Sequence, residues 1–273
     1  MAPTTLVTAL AFYFGWVMTN SRASYFGLDA SALGFSAQDY LLRSAEALFV
    51  PLATLIVLAL GVVWVHAYAM RQLAGHRRRL RLAARAAAVS GGLLFAFGVV
   101  SVFRPLSFSP YYLFPSASPG IGVALFAYAM YLLDRLDVVE HSTRLAPAGD
   151  ARSPTVAFAL IALLIVLSSF WTASSYAQAL GRGRAARLAR GLSARPHVVV
   201  FAPKRLDIRA AGVVEQRLTG DDRAYRYRYS GLRLLIRSGG KYFLLPEGWT
   251  RSNGVAIVLA DSQDYRFEFG ANG

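Results

Sequence analysis

Apolar residues follow two different rhythms along this chain, with long uninterrupted stretches filling the first two-thirds and short alternating runs the last third. A helix needs about 20 apolar residues, or roughly 17 to 25, to cross the hydrocarbon core of a bilayer. Five segments approach that length, at 4–19, 45–70, 86–103, 119–133 and 154–171. The first, "TTLVTALAFYFGWVMT", is short but uncharged. It has no basic n-region, and its aromatic end does not resemble a small-residue cleavage site, so it reads as a span rather than a signal peptide. The second carries "LFVPLATLIVLALGVVWVHAYAM", with Glu46 its only acid and Pro51 placed to kink the first turns. Gly91, Gly92 and Gly98 give the third a small-residue face suited to close helix packing. In the fourth, only about 15 residues run without interruption, below the usual spanning length. The fifth, "VAFALIALLIVLSSFW", is unambiguous.

The connections carry their own signals. Ser36 and Asp39 in "GFSAQDYLLRS" match an S-x-x-D capping pattern, which starts a helix near Ala37 and makes the preceding "SYFGLDASALG" an ordered interfacial loop. In the loop "RPLSFSPYYLFPSASP", Tyr111, Tyr112 and Phe114 read as anchors at the membrane surface.

From Ala194 onward the pattern shortens to strand-like runs: "HVVVFAP", "RLDIR", "VVEQRL", "YRYRY", "LRLLIR", "KYFLLP", "VAIVLA" and "YRFEF". Ser238-Gly239-Gly240 is a hairpin signal. The expected architecture is therefore an α+β membrane protein with about five transmembrane helices in residues 1–180, a basic linker at 181–195 and a small β-rich soluble domain at 196–273. Side chains alternate across a strand, so Tyr225, Tyr227 and Tyr229 should share a buried face, with Arg226 and Arg228 opposite. Arg233 and Arg237 extend this pattern, as does the alternation of Tyr265, Phe267 and Phe269 with Arg266 and Glu268. A nucleic-acid platform would instead place exposed aromatics on the same face as the basic groups, which argues against such a partner.

Composition sharpens the membrane reading. Of 273 residues, 55% are hydrophobic and 16% charged, where a soluble domain carries about a quarter charged residues. The absence of cysteine excludes disulfides, thiolate metal sites and cysteine nucleophiles. The formal charge is +14, and all basic residues but Lys204 and Lys241 are arginine. With the abundant alanine, this resembles the codon bias of a high-GC bacterial genome. Six arginines (Arg71, Arg77, Arg78, Arg79, Arg81, Arg85) follow the second segment, and such loops are normally cytoplasmic. Five spans then put the C-terminal domain outside the cell, with nine short-loop basic residues inside and eight outside. If the fourth segment only dips into the membrane, the count is eleven inside and six outside, and the domain is cytoplasmic. The second arginine cluster, Arg182, Arg184, Arg187, Arg190 and Arg195, favours that alternative, while the charge-free "GIGVALFAYAMYLL" favours five spans.

Candidate chemistry is sparse. No segment holds an acid, lysine or arginine in its interior, where one would mark a proton or ion path. His66, one turn from the end of the second segment, is the weak candidate for an intramembrane polar site, although an interfacial side chain is the commoner role at such a place. His76, His141 and His197 show no ligand spacing. Asp134, Asp137 and Glu140 lie at i, i+3, i+6 on one helix end beside Arg135 and Arg144, more a solvated face than a cation site. "GIG" and "GRGR" lack the context of a nucleotide loop. Asp207, Asp221, Asp222, Asp261 and Asp264 fit turns, where aspartate bonds its local backbone. In the run "GHRRRLRLAAR", Arg77, Arg78, Arg79, Arg81 and Arg85 are candidate contacts for anionic lipid headgroups, with roughly 1 kcal/mol of attraction for each basic residue near the surface. "GRGRAARLARGLSAR" reads as an amphipathic stub on the membrane surface. No motif calls for a cofactor or metal, and no acid, base and nucleophile set appears, so the chain reads as a non-enzyme.

"YFGLDASALGFSAQDYLLRSAEALFVPL" and "YRYSGLRLLIRSGGKYFLLPEGW" together resemble an uncharacterised family of actinobacterial multi-pass membrane proteins with a C-terminal β domain. The resemblance covers most of the chain and carries no established activity with it. The expected role is an integral component of the bacterial plasma membrane with an extracytoplasmic C-terminal domain. It would serve binding, sensing or assembly, with the bilayer, anionic headgroups, an envelope protein or further copies of itself as partners. The alternative is a subunit of an oligomeric channel or transporter, with a pore built from the small-residue face of the third span and from Ser168, Ser169 and Thr172.

Overall fold

The computed structural model describes residues 2–72, 77–103, 113–141, 154–219, 224–252 and 254–270. Five helices, α1 (Ala2–Tyr25), α2 (Ala37–Gln72), α3 (Arg77–Phe103), α4 (Leu113–His141) and α5 (Pro154–Arg190), precede six strands. These are β1 (His197–Ala202), β2 (Val214–Arg217), β3 (Tyr227–Ser238), β4 (Lys241–Pro246), β5 (Ile257–Ala260) and β6 (Arg266–Gly270). The α+β layout of the sequence reading holds. The number of spans does not: among the described residues four helices, α2 to α5, are long and apolar enough to cross a membrane, rather than five. This makes the chain a membrane-embedded protein by length and composition. The segment that drops out is the first. In α1, Thr4, Thr5, Thr8, Thr19, Asn20 and Ser21 dilute the apolar content, and Arg22 closes the helix.

The chain divides into two compact units, Met1–Ala47 with Ala177–Gly273, and Leu48–Tyr176. In the second unit, α3 and α4 pack through glycine. A Cβ on Gly91 would meet the Gly122 carbonyl oxygen at 2.8 Å, and one on Gly122 would meet the Phe95 nitrogen at 2.5 Å, so only hydrogen fits at either place. Gly98 abuts the Pro119 ring in the same way, whereas Gly92 faces open space. Two of the three predicted packing glycines therefore serve that purpose.

Helix α4 starts at Leu113, six residues before the predicted segment, because Pro115 falls in the first turn, where its missing N–H costs nothing. Pro119 is a different matter, since a proline inside a helix frees the carbonyl of residue i−4. Ser118 Oγ donates to that carbonyl, on Pro115, at 3.0 Å. At the next step of the ladder, Ser168 of α5 inserts its hydroxyl, accepting from the Gly120 N–H and donating to the Ser116 carbonyl, both at 2.9 Å. Backbone groups in hydrocarbon must be satisfied within the protein, and here a neighbouring helix supplies what proline removes. Gly120 makes room, as its Cβ would stand 2.7 Å from the Ser168 hydroxyl.

In the first unit, the capping pattern holds: Ser36 N–H and Oγ both donate to Asp39 Oδ2 at 2.8 Å, and α2 begins at Ala37. Helix α1 lies so close to the first turns of α2 and the last turns of α5 that a Cβ on Gly15 would strike the Tyr40 carbonyl, and one on Gly181 the Met18 carbonyl. Residues 181–190 continue α5 as helix up to Arg190.

The strands form one antiparallel sheet in the order β5-β4-β3-β1-β6, with β2 also pairing β3. Two predicted strands, "YRYRY" and "LRLLIR", are one. Gly231 at φ +82° lets β3 pass from its pairing with β2 to its pairing with β4, and a Cβ there would strike the Gly212 carbonyl. The predicted strand "RLDIR" is an irregular connection instead, its backbone turned at Asp207 with φ +48°. Gly239 and Gly240, at φ +55° and +67°, make the predicted β3–β4 hairpin a tight turn of the mirror-image type that matches strand twist.

Both sheet faces are buried along β4, where successive side chains go to opposite cores. Tyr242 and Leu244 join Val198, Val200, Tyr229 and Leu232. Phe243 and Leu245 join Leu235 with Phe26 and Leu33 from the N-terminal segment and Ala185 and Leu192 from the end of α5. Tyr242 stacks on Phe267 at 4.1 Å between ring centroids, although β4 and β6 are not neighbours, so the sheet curls on itself.

Candidate functional site

The first unit gathers arginines from separate stretches of sequence. Arg22 closes the last turn of α1, Arg43 sits in the second turn of α2 and Arg184 near the end of α5. With Asp39, Leu42 and Glu46 they line one cleft of about 380 Å³. The two carboxylates are already engaged: Asp39 is held by Ser36, and Glu46 is ion-paired with Arg184. Arg43 lies over the Phe35 ring at 4.3 Å. Among the described residues, neither Arg22 nor Arg43 forms a salt bridge. Burial holds the Arg22 guanidinium below its ordinary pKa, and the positive charges of Arg43, Arg195 and Arg184 push it further in the same direction.

A narrow apolar slot adjoins the cleft and shares Arg22 and Arg43 with it. Phe26, Leu33, Leu235 and Ile236 are among its walls. Thr19 also lines the slot; it is 3% exposed, and its hydroxyl has no hydrogen-bond partner among the described residues. The arrangement offers guanidinium donors, which bind oxyanions through paired N–H groups, at the mouth of an apolar recess.

The residues singled out from sequence lie elsewhere. Arg77, Arg78, Arg79 and Arg85 are exposed on the first turns of α3, with Arg81 half-buried among them. His66 is half-buried in the second unit, its Nδ1 3.2 Å from the Tyr128 hydroxyl and its ring near Tyr131. Ser168, expected beside a pore, has its hydroxyl committed to the α4 backbone, and Thr172 Oγ1 donates to the Ser168 carbonyl at 2.8 Å. Tyr111, Tyr112, His76, Arg104, Arg144, Arg152, Asp221 and Asp222 lie outside the described residues, as do the side chains of Asp137, Glu140 and His141. Among the described residues no group of three or more histidines and acids is placed to hold a metal ion.

The tyrosine and arginine strand is tied into the fold on both faces. Tyr229 is fully buried; its hydroxyl accepts from the Leu206 N–H at 2.7 Å and donates to Glu215 Oε2 at 3.2 Å. On the opposite face Arg228 donates to Gln216 at 3.2 Å and Arg233 pairs with Glu247 at 2.7 Å. Arg237, expected there too, lies on the Tyr229 side as the cross-strand partner of Tyr242, because the register of β3 shifts between Leu234 and Ile236; its Nε donates to Asp261 at 3.1 Å.

Sequence reasoning had no means of finding the Arg22 and Arg43 cleft. Each residue is a lone arginine beside an apolar segment, and only α1 packing between α2 and α5 brings them together. The chain matches no family model, no curated protein and no solved structure.

Proposed function

We propose that this chain is a non-enzymatic binding or sensing component of a bacterial plasma membrane, and that the body built from both chain ends is its working part. The observation that carries the reading is the shared core, in which Phe26 and Leu33 pack with Leu235, Phe243 and Leu245. A sheet that needs residues 23–33 to cover one face is not a loosely tethered appendage. It forms one body with the segments leading into α2 and out of α5, a suitable arrangement for passing a binding event to the spans. An even number of crossings, α2 to α5, leaves both ends of the chain on one face of the bilayer, as a body made of those ends requires. With the 71–85 loop inside, that face is extracytoplasmic, and Arg77, Arg78, Arg79, Arg81 and Arg85 would lie against anionic headgroups.

The channel reading is the weaker one because Ser168, its best polar candidate, is spent on repairing α4. The test is a set of compartment-sensitive reporters fused before Met1, within 73–76 and after Gly273, together with ion flux into liposomes holding the purified chain. The expected result is both termini on one side, the 73–76 fusion on the other, and no flux above protein-free liposomes. Termini on opposite sides would sink the shared body, and a selective flux would replace it with the channel.

A further inference from the structure

The geometry points to the cleft of Arg22, Arg43 and Arg184 as a binding site for a phosphate-type oxyanion, taken up beside the apolar slot lined by Phe26, Leu33 and Leu235. This deepens the reading of the two-ended body as a binding component and rests on it. Three features support it independently. The first is charge balance. Arginines from three helices converge on a cleft with two carboxylates, which leaves an excess of positive charge: Glu46 pairs with Arg184, Asp39 accepts from Ser36, and among the described residues neither Arg22 nor Arg43 forms a salt bridge. The second is the cost of that arrangement. Arg22 is half-buried, and the charges facing it are Arg43, Arg195 and Arg184, so a bound oxyanion would relieve a repulsion that the protein alone leaves standing. The third is Thr19, whose buried hydroxyl lines the adjoining slot, has no hydrogen-bond partner among the described residues and can donate to an oxygen there.

Guanidinium suits this ligand because its planar fork meets two oxygens of a phosphate at once. Glu46 sets a threshold on occupancy, since an anion reaching Arg184 must compete with it for the same nitrogen atoms. The slot beside the cleft, about 30 Å³, is water-sized, so the oxyanion itself rests on Arg22 and Arg43 at its apolar mouth and any hydrocarbon part of the ligand stays outside. The chemistry of recognition is the same for the phosphate of a phospholipid headgroup and for a free anion.

The test uses the full chain in dodecyl maltoside micelles, which carry no phosphate, with the thermal midpoint followed by tryptophan fluorescence. One arm titrates inorganic phosphate; the other adds phosphatidylglycerol to the micelles. The expected result is a rise in midpoint in the phosphatidylglycerol arm, in the phosphate arm, or in both. Its dependence on anion should weaken at least tenfold in R22Q and in R43Q and persist in R78Q, which lies in the exposed run on α3. A response to phosphatidylglycerol alone assigns the headgroup as ligand, and a response to inorganic phosphate shows that the free anion suffices. Without anion, R22Q should be at least as stable as the parent, because it removes a repelled charge. Should R22Q not fold, R43Q decides, and R22K should retain part of the response. No midpoint shift in either arm, or a parental response in the glutamine variants, overturns the site. Neither result touches the terminus-sidedness measurement, so the site can fall while the two-ended body stands.

Discussion

Substituting Gly122 by alanine adds one methyl group to the closest approach between α3 and α4, and the outcome can be worked from the distances. The new Cβ would lie 2.5 Å from the Phe95 nitrogen and 2.6 Å from the Gly91 carbonyl oxygen, both backbone atoms that no rotamer change can move. Restoring ordinary contact requires the helices to part by ~1 Å, and forcing extra volume into a packed seam costs about 1–3 kcal/mol. Against this, alanine is favoured over glycine inside a helix by about 1 kcal/mol. Gly92, one residue from Gly91 on α3, has nothing within 4 Å of its would-be Cβ and isolates the propensity gain. G92A should therefore be neutral or stabilised by up to about 1 kcal/mol, and G122A should fall below it by the clash, about 1–3 kcal/mol. The assay is reversible unfolding of the purified chain from mixed micelles by SDS, read by circular dichroism, with the two variants and the parent side by side. Equal stabilities, or G122A above G92A, would refute the claim that glycine sets the α3–α4 distance.

Three further outcomes follow from the same structure. Replacing Ser168 with alanine strands the Gly120 N–H and the Ser116 carbonyl at the Pro119 break, and the cost in the same unfolding assay should be about 1–2 kcal/mol, whereas S169A should change little. In the hairpin, G240A should cost about 1–2 kcal/mol from its left-handed backbone alone, while G239A should cost more because its Cβ also meets the Leu33 carbonyl oxygen at 3.0 Å; paired thermal melts separate the two. Burial pushes the Tyr229 phenol above its usual pKa, with Glu215 adding to the shift. The protonated phenol therefore contributes stability in full below about pH 10, and that contribution is lost as pH rises through the raised native value. Y229F should be less stable than the parent at neutral pH and show a shallower loss above pH 10; a parallel loss in both would refute the assignment.

Local pattern revealed much of this molecule and fell short where distant residues cooperate. The apolar segments at 45–70, 86–103 and 154–171 became helices because length and composition are local properties. The alternation of tyrosine with arginine predicted the burial of Tyr229, since side-chain direction in a strand needs no partner to define it. The break at Gly231 was not legible. A glycine inside a strand pattern is ambiguous until the chain that crosses it, here Gly212, is known. The start of α4 was missed because prolines read as loop, and the hydroxyl that lets Pro119 sit in a helix comes from Ser168, 48 residues beyond Gly120. The first segment looked like a span because it lacks charge, but its threonines and Asn20 leave it short of the others. The candidate site was missed for the same reason as the break at Gly231 and the proline repair: Arg22 and Arg43 acquire a common role only through packing.

The core that joins Phe26 and Leu33 to Phe243 and Leu245 also imposes an order on biogenesis. The residues that cover the sheet are made early and the sheet itself is made about two hundred residues later, after four helices long and apolar enough to span a bilayer. Until then Phe26 and Leu33, in the segment between α1 and α2, lack the cover of the sheet, and a chain cut short before β4 can never supply it. Completion of the last strands is thus the event that hides the segment after the first helix, and a quality-control protease that senses exposed apolar residues has a direct reading of whether synthesis was finished.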